Sequence, residues 1–246
     1  MRKILMPFFM LGDCSDKETL EMIEGAVEAG ADYLELGIPH SDPLADGPVL
    51  REAAERAIRN GMTPHKAIKL AGMIKTRFDC PVYILTYLNT LYGYEVEVFI
   101  QDVVRAGIDG LIIPDLPLEA QQNLKEEYDF KNLTVAAFTS PTSEERLESI
   151  VKDSDGLIYS VNYAGITGSG SGIDDRVKRN YEKLKQFTDR PVLSGFGIGT
   201  AQSARNAVYY SDGVIIGTQL REIYETSENK GADIKLYLES IRDAID

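Results

Sequence analysis

Arg105-Ala106-Gly107-Ile108-Asp109-Gly110-Leu111-Ile112-Ile113-Pro114 reads as the end of a helix, a turn and the start of a buried strand. Glycine just past a helix suits the left-handed position that terminates it, and the apolar run begins within a few residues. The pattern also stands earlier, where Glu28-Ala29-Gly30-Ala31-Asp32 leads into Tyr33-Leu34-Glu35-Leu36-Gly37-Ile38. A helix that hands over directly to a strand, twice, is the local mark of a βα repeat.

Working outward, eight short apolar, β-branched runs predict strands at 4–9, 33–38, 82–86, 110–114, 134–138, 156–161, 192–194 and 213–216. They are continuous more than alternating, as parallel strands covered on both faces require. Helical spacing of apolar residues predicts helices at 17–29, 95–106, 119–128, 143–152, 176–188 and 201–210, with a C-terminal helical region at 221–245. The long gap after the second strand holds a loop and two further helices, 50–59 and 64–78, punctuated by Gly61 and Pro64. Eight units without a linker favour one domain over residues 1–246, a closed (β/α)8 TIM barrel, above an open doubly wound sheet. The Gly- and Ser-rich stretch from Ala164 to Asp175 is a loop candidate, and such loops inside compact domains are more often functional than idle.

The chain has 246 residues, 43% of them hydrophobic, enough for a substantial core. No apolar run approaches the ~18 residues of a membrane span. The N-terminal MRKILMPFFMLGD has a basic start and an apolar stretch, but no small-residue cleavage site follows; Lys3 to Phe9 reads as a buried strand. Acidic residues outnumber basic ones by 39 to 26, for a net charge of −13. That balance argues against a nucleic-acid partner, which needs an excess of Lys and Arg. It leaves room for one small phosphorylated ligand held by backbone N–H groups at a helix N-terminus. Cys14 and Cys80 are too few for a disulfide framework or a zinc site, and a reducing cytoplasm is the expected setting.

Barrel active sites lie at the C-terminal ends of the strands. Glu35 sits between Leu34 and Leu36 in the second strand and must face away from both. A carboxyl desolvated there would have a raised pKa. One reading is a carboxylate paired with a buried Arg or Lys; proton transfer near neutrality is the favoured one. In the following loop, Pro39-His40-Ser41-Asp42-Pro43-Leu44-Ala45-Asp46-Gly47-Pro48, Asp42 suits a turn. Asp46 is balanced between a second functional carboxylate and an N-cap ahead of Pro48. Three glycine-containing segments, 165–168, 195–199 and Gly217-Thr218, follow the late strands and together favour phosphate binding. His40 and His65 are weak candidates for catalysis, and no Ser/His/Asp arrangement is evident.

The stretch Leu34 to Pro48 closely resembles the signature of tryptophan synthase α subunits, which usually carry Phe where His40 stands. The resemblance continues through Thr86-Tyr87-Leu88-Asn89, Ala106 to Pro117, Ala164-Gly165-Ile166-Thr167-Gly168 and Gly195-Phe196-Gly197-Ile198, in order along the chain. It implies retro-aldol cleavage of indole-3-glycerol phosphate to indole and glyceraldehyde 3-phosphate in tryptophan biosynthesis. By resemblance Glu35 carries the proton transfers and Asp46 takes the indole N–H. The phosphate contacts would come from the segment of Thr167 and Gly168 and from Gly197, Gly217 and Thr218. The indole pocket would include Phe8, Leu85, Tyr87, Ile112 and Ile215, with Tyr159 near Glu35. No metal or organic cofactor is implied on this subunit; pyridoxal phosphate belongs to the β subunit, the implied partner in an α2β2 complex. The 39–48 loop, Pro117 and the 164–175 loop are the implied places of contact and closure.

This chain departs from the family pattern at several points. Thr218 replaces a usual Ser, and Tyr163 stands where Arg is common, which puts the usual loop-closure contacts in doubt. Most members have a helix before the first strand that covers the barrel bottom; here the strand begins at once, and something else is expected to cover that end. The rival readings are a lyase acting without β, another phosphate-binding biosynthetic barrel, and a subunit retained mainly to activate β.

Overall fold

A computed structural model describes residues 2–152, 154–161, 175–195 and 197–246 of the chain. Nine strands form one sheet: β1 (Ile4–Met10), β2 (Leu34–Gly37), β3 (Val82–Leu85), β4 (Gly110–Ile112), β5 (Thr134–Val135), β6 (Ala137–Thr139), β7 (Ile158–Val161), β8 (Val192–Gly195) and β9 (Gly213–Ile216). Their order is β5-β4-β3-β2-β1-β9-β8-β7-β6, with every pairing parallel. The two ends of that order are the two halves of one stretch, interrupted only at Ala136. Ala136 donates to Leu111 on one side, and Ala137 donates to Leu157 on the other. The sheet is therefore a ring of eight staves, as the sequence predicts. Register from Phe8 leads through Glu35, Tyr83 and Gly110 to Thr134; register from Ile4 the other way leads through Gly213, Leu193 and Tyr159 to Phe138. Each pair of ends is four residues apart, which gives the shear of eight of a (β/α)8 barrel.

The helices form the outer layer: α1 (Asp16–Glu28), α2 (Pro48–Arg59), α3 (Pro64–Arg77), α4 (Leu88–Tyr94), α5 (Val96–Arg105), α6 (Leu118–Glu127), α7 (Leu147–Lys152), α8 (Asp175–Phe187), α9 (Ala201–Ala207), α10 (Thr218–Thr226) and α11 (Lys230–Ile245). Two differ from the expected elements. α4 was not foreseen, and the 221–245 region is two helices, because Asn229 caps a new start at Lys230. One apolar cluster fills the space between sheet and helices, around Leu5, Phe9, Leu34, Leu36, Ile84 and Leu111. The alternate residues Met6, Phe8, Met10, Leu85, Ile112, Leu157, Leu193 and Ile215 fill the barrel interior. The alternation buries both faces of every stave.

The Ala-Gly-x-Asp pattern acquires a physical reason. Gly30 and Gly107 have φ of +88° and +76°, the left-handed turn their position demands. Asp32 and Asp109 then accept from the backbone N–H groups of Leu5 and Val82 at 2.9 and 2.7 Å, stitching the start of one strand to the start of its neighbour. Asp155 and Asp212 repeat the contact to Val135 and Val192, at 3.0 and 2.8 Å. The four aspartates precede every second stave, and each meets a cation from the helical layer: Arg242, Lys75, Lys125 and Lys185. At the N-terminal mouth the half-buried Ile4, Tyr33 and Tyr83 cover the barrel, the two phenol rings 5.9 Å apart. Arg242 of α11 reaches in beside them to donate to the carbonyls of Lys3 and Gly30.

Candidate active site

At the opposite mouth the strand ends surround a cavity of about 380 Å³. Glu35 and Asp46 both line it. Glu35 faces the interior because β2 alternates, with Leu34 and Leu36 buried outward against the helices. Its side chain is 1% exposed, and Oε1 has no hydrogen-bond partner among the described residues. Among the described residues no Arg or Lys pairs with it, unlike the alternative of a carboxylate held by a buried cation. Burial pushes the Glu35 pKa up to about 8, and the nearby Asp46 carboxylate adds to the rise. Both effects favour the protonated form of Glu35.

The two readings of Asp46 separate cleanly. The N-cap of α2 is Gly47, Pro48 is the first helical residue, and no side chain caps the helix. The Asp46 carboxylate points elsewhere: the Tyr87 phenol lies beside it, Oδ2 has no hydrogen-bond partner among the described residues, and the Asp46 carbonyl accepts from Arg51 Nε at 2.9 Å. Tyr87 is held in turn by the Ala45 N–H, which donates to its oxygen at 3.3 Å. Burial raises the Asp46 pKa to about 6, with the Tyr87 phenol and the Arg51 charge pulling the other way. Burial raises both carboxyls, Glu35 further than Asp46, so the two stand in differently tuned environments within one cavity.

Between and beyond the carboxyls the wall is apolar: Phe8, Leu85, Ile215, Pro114, Phe138 and Leu50. Tyr159 closes one side, 7% exposed and stacked on Phe138 with centroids 5.0 Å apart. Burial, with Glu35 and Asp46 near, keeps its phenol protonated. Gly195 is required under this ring, since a Cβ there would lie 2.3 Å from Tyr159 Cε1. At the far end Gly197, Gly199, Gly217 and Thr218 line the cavity. α10 begins at Thr218 behind Gly217, at the cavity end, and among the described residues no side chain caps its first N–H groups.

Of the residues expected from sequence, Phe8, Glu35, Asp46, Leu85, Tyr159, Gly197, Ile215, Gly217 and Thr218 converge on this cavity. Ile112 and Tyr87 are buried but do not line it: Ile112 packs in the interior cluster, and the Tyr87 phenol lies beside Asp46. Thr167, Gly168, Tyr163 and the loop from Ala164 up to Asp175 lie outside the described residues, as does Phe196. Pro114, Phe138, Gln219 and Glu222 also line the cavity, beyond the residues expected from sequence. Alternation carried two residues past Ile112 and Ala136 would have found the first two. The histidines stand apart from the cavity wall: His65 stacks on Tyr94, and His40 stacks on Tyr87 and bonds Thr90 at 3.1 Å. Among the described residues no group of three or more His, Cys, Asp and Glu is placed to hold a metal. No helix of the described residues is long and apolar enough to cross a membrane.

The family profile described as tryptophan synthase alpha chain matches residues 1–244. The chain belongs to that family. A tryptophan synthase alpha chain of Thermoanaerobacter sp. (strain X514) is 34% identical over 99% of this chain and 94% of its own length. That of Oceanobacillus iheyensis is 38% identical over 94% of this chain and 88% of its own. Among solved structures, tryptophan synthase subunit alpha from Legionella pneumophila superposes with a TM-score of 0.87 at 32% identity, covering 99% of this chain and 93% of that one. A chain from the aminoacrylate-bound tryptophan synthase of M. tuberculosis gives 0.84 at 26% identity, covering 100% and 94%. Family membership places the chain in tryptophan biosynthesis, with a lyase reaction on indole-3-glycerol phosphate.

Proposed function

We propose that the chain breaks the carbon–carbon bond of indole-3-glycerol phosphate, releasing indole and glyceraldehyde 3-phosphate, with Glu35 as acid and base and Asp46 as acceptor of the indole N–H. The observation that carries the proposal is the pair of differently tuned carboxyls in one cavity, with an uncapped helix N-terminus at its far end.

Indole leaves poorly until its C3 is protonated. The Glu35 carboxyl supplies that proton, and ring nitrogen positive charge then grows, which the Asp46 carboxylate stabilises through the N–H. The glycerol hydroxyl next to the scissile bond loses its proton to the Glu35 carboxylate, and its O–H electrons form the aldehyde. The electrons of the broken bond return to the indole ring. Glu35 ends protonated as it began, so the cycle balances. The apolar wall around Phe8, Leu85 and Ile215 suits the indole, and the N–H groups around Gly217 and Thr218 suit the phosphate. Thr167 and Gly168 complete the phosphate contacts in this reading.

The chain works as one cytoplasmic barrel domain and needs no cofactor of its own. It pairs with a β subunit that carries pyridoxal phosphate, in an α2β2 complex. Indole release from indole-3-glycerol phosphate, measured with and without β, tests the proposal. Release that rises on adding β supports the subunit reading; equal release alone points to an independent lyase, and none in either case refutes the reaction.

A further inference from the structure

A buried carboxylate outside the cavity joins two helices whose N-termini line it. Asp13 follows β1, and its side chain is only 2% exposed. From α2, Arg56 donates to both of its oxygens, at 2.7 and 3.0 Å. From α10, the Tyr224 hydroxyl donates to Oδ2 at 2.7 Å, and Arg221 Nε lies 4.0 Å from the same oxygen. Tyr224 and Arg221 are themselves 4% and 3% exposed. The charges close locally: Arg56 and Arg221 face Asp13, and Glu225 takes the Arg221 guanidinium from its other side. A carboxylate this dry with three donors on it is a rigid joint, because any displacement strands a buried charge.

The joint is placed where it sets a distance. The start of α2, from Gly47 to Leu50, lines the cavity immediately after Asp46, and the start of α10, with Gly217, Thr218 and Gln219, lines its far end. Arg56 stands eight residues into α2, about 12 Å along it. Arg221 lies within the first turn of α10. Both helices are thus pinned to one carboxylate in the turn that follows β1.

We infer that Asp13 is a positioning residue: it ties α2 to α10 and so fixes the span between the Asp46 end and the anion-binding end of the cavity. The inference rests on the reading of the cavity given above. It predicts that loosening the joint harms ligands that bridge the two ends and spares those that occupy one.

The test uses Asp13→Asn and Tyr224→Phe. Dissociation constants are measured for indole, for glycerol 3-phosphate, and for an unreactive bridging ligand, indole joined to a phosphate by a saturated three-carbon chain. Indole release from indole-3-glycerol phosphate is followed in parallel. Bridging affinity and kcat should fall about 30-fold in Asp13→Asn and about 5-fold in Tyr224→Phe, as sub-ångström misplacement costs elsewhere. Each half-ligand should bind within about twofold of wild type in both variants. Unchanged bridging affinity overturns the inference, and so does an equal loss for half-ligands and bridging ligand, which is the signature of a merely structural role. If Asp13→Asn does not fold, Tyr224→Phe decides alone. A wild-type chain that binds the bridging ligand but releases no indole refutes the lyase reading, while the affinities still judge the joint.

Discussion

Replacing Glu35 by Gln should make the protein's stability less dependent on pH, and by a calculable amount. The carboxyl moves from an ordinary 4.5 to about 8 on folding, chiefly through burial. At about 1.4 kcal/mol per pH unit, ionising it inside the fold costs at most roughly 5 kcal/mol. Because the folded-state pKa is raised, the stabilisation is fully present below pH 4.5 and is lost as pH rises through about 8. Gln is neutral throughout and nearly isosteric. Other titrating groups act on both proteins, so the difference between wild type and variant isolates Glu35 and its coupling to Asp46. Thermal scans at pH 5 and pH 9 would measure it. For a chain of this size about 1 kcal/mol moves the midpoint ~2–4 °C, so the variant should gain roughly 5–15 °C on wild type between the two pH values. A difference that stays flat within about 2 °C refutes the claim that Glu35 is held dry inside the barrel.

Three further outcomes follow from the geometry. The pH profile of kcat/KM for indole release should be bell-shaped, with limbs near 6 and 8, since Asp46 must be ionised and Glu35 protonated; these values belong to the coupled pair. In Tyr87→Phe the phenol that lowers the Asp46 pKa is gone, so the acidic limb should move to higher pH; a limb that stays in place or moves down contradicts that influence of Tyr87 on Asp46. Asp109→Ala removes the acceptor of the Val82 N–H and the partner of Lys75, and urea unfolding should show a loss of about 2 kcal/mol with the site's KM unchanged.

The barrel was legible because its strands are short apolar runs that stay apolar on both faces, and because Gly30 and Gly107 mark helix ends. Boundaries shifted by one to four residues, as helix ends that fray into 3-10 turns do. α4 escaped notice because Leu88 to Tyr94 carries Gly93 and aromatic residues rather than helix formers, and follows β3 without a turn. The break between α10 and α11 lay in plain sight in Ser227 and Asn229, both of which hydrogen-bond locally, but the surrounding apolar spacing ran through it. In the site, Glu35 was readable from its flanking leucines, whereas Asp46 was not. Whether an aspartate caps a helix or faces a cavity depends on a single backbone residue, and here Gly47 took the cap. The Asp13 joint was invisible for another reason. Its donors stand 43 and 211 residues away, and only closure of the barrel brings them together.

The central claim is that the buried Glu35 carboxyl moves the protons of carbon–carbon cleavage. Its most direct test is indole release from indole-3-glycerol phosphate by wild type and Glu35→Gln, each with the β subunit present. The account predicts release by wild type and a fall in kcat of about 10³-fold in the variant, with substrate affinity changed little. Release by Glu35→Gln at the wild-type rate would contradict it.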